Sequence, residues 1–128
     1  MIIDSSALCA VLFGEHDAAR YAEAIADAEV SRMSAINLLE AAIVVESRGG
    51  QPSADLLDAF IEQAGIEIVP VTADQIAAAR SAWRRFGKGN HPARLNLGDC
   101  LAYALSQTRH EPLLFKGGDF AQTDVDAA

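Results

Sequence analysis

With 128 residues, 51% of them hydrophobic, the chain is sized for one domain, residues 1–128, whose core needs no disulfide or structural-metal staple. A formal net charge of −8 excludes a body that clings everywhere to polyanions, because sequence-independent phosphate binding rests on clustered Lys and Arg. Cys9 and Cys100 lack CxxC spacing and read as buried thiols, and Met1-Ile2-Ile3-Asp4 is neither a secretory signal nor a membrane span, so a cytoplasmic protein is expected.

In chain order, Met1 to Ile3 read as a short strand, and Asp4-Ser5-Ser6 supply cap residues for a helix over about 7–13. A second helix is predicted over about 17–28 and a strand over 30–33, with Ser34 capping a third helix over about 35–48. That helix is apolar nearly all round from Ile36 to Val45, as a buried central helix is, and only Asn37 and Glu40 interrupt it before Gly49-Gly50. A fourth helix follows Pro52-Ser53, and the β-branched run over 66–71 predicts a third strand.

Thr72 or Ala73 opens a helix reaching Phe86, and the glycines and proline of 87–92 make a loop. Asn96 caps a helix over about 97–108, Leu113-Leu114-Phe115 is a strand, and Val125 belongs to a short last one. Trp83, Phe86 and Tyr103 are expected in the core rather than as base-stacking platforms. Helices alternating with short apolar strands imply an α/β fold, a mostly parallel sheet of four to five strands covered on both faces, with ligands at the strands' carboxyl ends.

Four acids are placed for chemistry there, each with a plainer alternative. Asp4 ends a strand or caps a helix; Glu40 serves a site, pairs with a buried arginine, or lies on a narrow polar face. Asp99 forms a capping pair with Asn96 or aims at the sheet edge, and Asp119, after Gly117-Gly118, is a turn residue or a fourth site acid. Together they describe one concave acidic site that repels itself without divalent ions. Carboxylate oxygens suit Mg²⁺ and Mn²⁺, and the fitting chemistry is hydrolysis of a phosphodiester by metal-activated water. Half of the ten basic residues, Arg80, Arg84, Arg85, Lys88 and Arg94, fall between Asp74 and Asp99 with no acid among them, either a solvated face or a local site for phosphates.

Ile2-Ile3-Asp4-Ser5-Ser6-Ala7, Leu38-Leu39-Glu40-Ala41, the run from Leu97 to Ala104 and Lys116-Gly117-Gly118-Asp119-Phe120, in that order, resemble PIN-domain proteins, and among them the VapC toxins of type II toxin–antitoxin pairs. The resemblance implies a PIN-like fold and an Mg²⁺- or Mn²⁺-dependent endoribonuclease leaving 5′-phosphate and 3′-hydroxyl ends. It places the metal-binding acids on Asp4, Glu40 and Asp99, with Asp119 at a more variable fourth place and Ser6 beside them. It also implies a homodimer and a VapB-like antitoxin that often inserts an arginine among the acids. On that reading RNA phosphates lie along Arg84, Arg85, Lys88 and Arg94, with Lys116 near the acids, while His91 faces water. The alternatives are a phospho-acceptor signalling module, with Lys116 as its sensor, or a non-catalytic binding scaffold.

Overall fold

A computed structural model describes residues 1–128. The elements run β1 (Ile2–Ile3), α1 (Ser5–Leu12), α2 (Ala18–Asp27), β2 (Arg32–Ser34), α3 (Ala35–Gln63), β3 (Glu67–Val69), α4 (Ala73–Phe86), α5 (Leu97–Arg109) and β4 (Leu113–Leu114), then a 3₁₀ turn at Phe120–Gln122. All strand pairs are parallel and the order is β3-β2-β1-β4, with Ile2 opposite both Arg32 and Leu113. The chain builds outward from β1 to β3, then crosses back to place β4 on the other side of β1. Such a reversal opens a crevice outside the strands' carboxyl ends.

Side chains alternate across the sheet, so neighbours on one strand serve opposite layers. Ile2 and Leu113 face a cluster with α4 and α5, built on Phe86, Leu95, Leu101, Tyr103 and Leu105. Ile3 and Leu114 face Leu8, Tyr21, Ile25, Val45 and Leu57 of α1, α2 and α3. Both faces are thus covered, which parallel strands require. No helix is long and apolar enough to cross a membrane.

The local signals explain most element boundaries. Asp4 caps α1 by accepting from the Ser6 amide at 2.9 Å, Thr72 caps α4 by accepting from the Gln75 amide, and Asn96 with Asp99 forms a reciprocal capping box on α5. The expected break in the third helical stretch falls at Gly50, whose φ of 64° lies in the left-handed region, so α3 is two helical segments meeting at a kink.

Five expectations are corrected. Ser34 stands at the N-cap of α3 but its hydroxyl makes no capping bond, because it is buried at the end of β2 without a partner. The third helix is not buried all round: Leu39 and Ile43, one turn apart, are 54% and 56% exposed, since β2 and α1 cover only the opposite face. Trp83 is half exposed rather than in the core, because Ala79, Ala82 and Phe86 take the inward positions of α4. The last pairing involves Ala127 rather than Val125, as a single bridge to Leu113, and Cys9, unlike Cys100, is only partly buried.

Candidate active site

The four acids lie in one neighbourhood, near enough for the charges of Asp4, Glu40 and Asp119 to act on Asp99, without closing into a cage. Asp4 leaves β1 with its amide bonded to the Leu114 carbonyl at 2.9 Å, which fixes it at the crevice. Its Oδ2 accepts from the Ser6 amide and, at 2.5 Å, from the Ser6 hydroxyl, which in turn accepts from the Lys116 amide at 3.0 Å. Ser6 therefore ties the ends of β1 and β4 through the carboxylate. Asp4 is only 2% exposed, and its Oδ1 has no hydrogen-bond partner at all. Burial raises its pKa above the usual carboxylate range, the Ser6 bonds opposing and the charge of Glu40 adding to the rise.

Glu40 has no arginine partner. Its Oε1 accepts from the Ser5 hydroxyl and from Asn37 Nδ2 at 3.5 Å, while Asn37, fully buried, also donates to the Gly98 carbonyl at 3.1 Å. Asn37 thus couples α3 to the start of α5. Gly98 is where the two helices touch: a Cβ built there would lie 2.3 Å from Glu40 Oε2 and 2.8 Å from its Cδ. Only a glycine leaves room for the carboxylate at that point.

Asp99 fills both of the roles that its position allowed. Its Oδ2 accepts from the Asn96 amide at 3.0 Å as half of the capping box, and no second bond engages Oδ1. Burial lifts its pKa to about 7, against the pull of the Asn96 amide and with further help from the charges of Asp4, Glu40 and Asp119. Asp119 begins the 3₁₀ turn, is exposed, and makes no side-chain capping bond.

One division of labour recurs. Asp4, Glu40 and Asp99 each commit one oxygen to holding the fold and leave another, Oδ1, Oε2 and Oδ1, without a donor, and of these only Asp4 Oδ1 is buried. A buried carboxylate oxygen without a partner is costly, and a divalent cation is the partner chemistry it suits. No three of the His, Cys, Asp and Glu side chains converge as a ready-made cage.

The basic residues divide. Arg84, Lys88 and Arg94 are exposed and enter none of the six ion pairs. Arg85 is already paired with Asp124 at 2.7 Å, and Lys116 bridges Glu15 and, at 2.7 Å, Asp17. His91 accepts from the Ala93 amide through Nδ1 and meets the Phe86 ring edge-on at 5.2 Å, so it organises its own loop. The sequence did not single out Ser5, Gly98, Glu15 and Asp17 as contributors. Only Asn37 left a signal, as a polar break three residues before Glu40 in an apolar helix.

A PIN-domain family profile matches residues 1–126. Ribonuclease VapC of Mycolicibacterium smegmatis is 51% identical over 127 residues, covering 99% of this chain and 98% of its own length. Ribonuclease VapC28 of Mycobacterium tuberculosis is 50% identical over 129 residues, covering all of this chain and 97% of its own. Among solved structures, Mycobacterium tuberculosis VapC20, described as a sarcin-ricin loop cleaving toxin, superposes with a TM-score of 0.81 at 18% identity, covering 99% of this chain and 97% of that one. A toxin–antitoxin complex from Klebsiella pneumoniae gives 0.74 at 16% identity, covering 99% and 95%.

Proposed function

The chain belongs to the PIN-domain family, among its VapC ribonucleases, and we propose on that footing that it is an RNA-cleaving toxin whose active site is the cluster of Asp4, Glu40, Asp99 and Asp119. The observation that carries the site assignment is the unpartnered, buried Oδ1 of Asp4 at the crevice, with Glu40 and Asp99 near it and Asp119 near Asp99.

Asp4 and Asp99 would hold Mg²⁺ or Mn²⁺, with Glu40 as a third ligand or as the acceptor that orients a bound water, and Asp119 completing the site. The ion supplies charge for the phosphoryl oxygens and an acidified water. The chain's own residues do the rest: Ser6 and Ser5 fix one oxygen each of Asp4 and Glu40, the capping box fixes Asp99, and Asn37 with Gly98 sets the spacing of α3 from α5. The exposed Arg84, Lys88 and Arg94 would receive RNA phosphates some way from the cut bond. End analysis of RNA fragments made by the purified protein tests this: 5′-phosphate termini are expected, and 2′,3′-cyclic phosphates would exclude hydrolysis by metal-activated water.

The bare faces support two partners. Leu39, Ile43 and Leu97 are 54%, 56% and 76% exposed, and Leu97 also borders a groove of about 210 Å³ with Ile76 and Trp83. A surface of this kind suits a second copy of the chain. Light scattering is expected to give the mass of two chains for the wild type and of one for Ile43→Glu; a monomeric wild type at micromolar concentration contradicts the pairing. The four acids, none of which pairs with a Lys or Arg of this chain, suit the arginine of an antitoxin tail.

Asp99 gives the site a pH signature in chelator. Its folded pKa of about 7 lies above the ordinary 3.8, so between those values the folded state holds more protons than the unfolded chain. Metal-free stability is therefore greatest on the acidic side of that window and falls as pH rises through it; the raised Asp4 acts in the same direction. Urea midpoints in EDTA should be lower at about pH 7.5 than at about pH 5, and Asp99→Asn should shrink the difference. An undiminished difference in that variant would place its origin elsewhere.

A further inference from the structure

Asp119 is the one site acid that neither lies in nor caps an α-helix, and its side chain has no capping bond to hold it. Its segment leaves β4, turns at Phe120–Gln122 and returns beside β4, where the Leu113 amide donates to the Asp126 carbonyl at 2.8 Å and the Ala128 amide to the Leu113 carbonyl at 2.9 Å. Phe120 anchors the turn in the core against Phe115, with ring centroids 5.2 Å apart. Between that anchor and the returning strand stands Asp124.

Asp124 is held on both oxygens. The Tyr103 hydroxyl donates to Oδ1 at 2.5 Å and Arg85 to Oδ2 at 2.7 Å, while Arg85 also donates to the Tyr103 oxygen at 3.3 Å. Tyr103 is only 4% exposed, so its ring is fixed by packing and its hydroxyl is aimed at the loop. Tyr103 follows Asp99 by four residues on α5, which puts the two on one face of the helix, one turn apart. The helix and the loop are therefore joined one turn from Asp99, where Tyr103 holds Asp124, and Asp119 on the same loop is near enough for its charge to act on Asp99. Arg85 reaches across from α4, its guanidinium 4.6 Å from the Phe86 ring centroid.

We propose that Tyr103, Asp124 and Arg85 form a clamp of positioning residues that sets Asp119 against Asp99. The proposal rests on the reading of these acids as the metal site, and it assigns Arg85 to the loop rather than to RNA. Tyr103 and Asp124 carry most of the effect because the phenol is buried; Arg85, half exposed, screens and orients.

Amide hydrogen exchange followed by NMR tests the clamp with neither metal nor RNA present. The Gln122 and Thr123 amides bond to Asp119 and Phe120 carbonyls, and the Val125 amide to the Thr123 hydroxyl. In Tyr103→Phe and in Asp124→Asn these amides should exchange about tenfold faster or more, with α5 amides unchanged. Calorimetric titration with Mn²⁺ should then show about tenfold weaker binding in both variants, an effect of the size that supporting residues around a metal have. A Thr72→Ala control, which removes the α4 cap on the Gln75 amide and no contact of the clamp, should leave both readings at wild-type values. Unchanged exchange in both clamp variants overturns the proposal, as does an equal change in the control. A wild type that binds Mn²⁺ but cuts no RNA contradicts the nuclease reading instead, and leaves the exchange result to decide the clamp.

Discussion

Replacing Asp4 by asparagine is expected to lower RNA cleavage by at least about a hundredfold while leaving the protein as stable as the wild type, or more so, in chelator. Residues that merely support metal ligands cost about 10- to 100-fold when removed, so a ligand itself should cost no less. The stability half of the expectation comes from burial. Asp4 is 2% exposed, one of its oxygens has no partner, and Glu40 and Asp99 lie close enough to repel it. Asparagine keeps an oxygen for the Ser6 amide and removes the buried charge. A melting temperature in EDTA equal to the wild type's or higher by about a few degrees, together with lost cleavage, is the signature of a residue kept for function against stability. A variant that loses cleavage because it unfolds would show the carboxylate to be a structural cap first.

Gly98→Ala is expected to have the second largest effect, although it touches no substrate. The added methyl group would sit 2.3 Å from Glu40 Oε2, so the carboxylate must swing away. Because the obstructing atoms are the end of a flexible side chain, the helices need not part, and alanine's higher helix propensity, about 1 kcal/mol, offsets part of the cost at this buried position. Cleavage should fall about 10- to 100-fold with little change in the urea midpoint. The mechanism can be isolated by a double-mutant cycle with Glu40→Ala: once the carboxylate is gone, the methyl group has nothing to displace, so Gly98→Ala should cost almost nothing further. Additive losses would mean that Gly98 acts through something other than Glu40.

How much of this was legible in the sequence depended on distance along the chain. The strand ending in Asp4, the Asn96–Asp99 capping pair, the Thr72 cap and the break at Gly50 are written in neighbouring residues, and all stand in the structure. The parallel sheet covered on both faces followed from helices alternating with strands. What stayed hidden is nonlocal. An apolar helix looks the same whether its far side meets another helix or nothing, so the bare Leu39–Ile43 face could not be told from core. The basic residues posed the same problem, because Arg85 and Lys116 are removed from the free cationic surface by Asp124, Glu15 and Asp17, 39, 101 and 99 residues away. With Lys116 so engaged, the alternative of a phospho-acceptor module also loses its sensor.

For the four acids, the plain and the functional alternatives were not exclusive. Asp4 caps α1 and Asp99 is half of a capping box, and the site proposed for them needs neither cap to be given up, because a carboxylate has two oxygens and the fold uses one. Sequence spacing shows the cap; only the structure shows the oxygen left over. Glu40 differs in that its partners are neutral donors, Ser5 and Asn37, rather than the arginine that a buried structural carboxylate would need.

The central claim is that these carboxylates hold the ion that cleaves RNA, and the most direct measurement is anomalous scattering from a crystal of the wild-type protein soaked in Mn²⁺. A peak roughly 2.1–2.3 Å from oxygens of Asp4 and Asp99, absent from an Asp4→Asn crystal treated in the same way, is the result predicted. A wild-type crystal with no peak among Asp4, Glu40, Asp99 and Asp119, while the same preparation cleaves RNA in Mn²⁺, would contradict it.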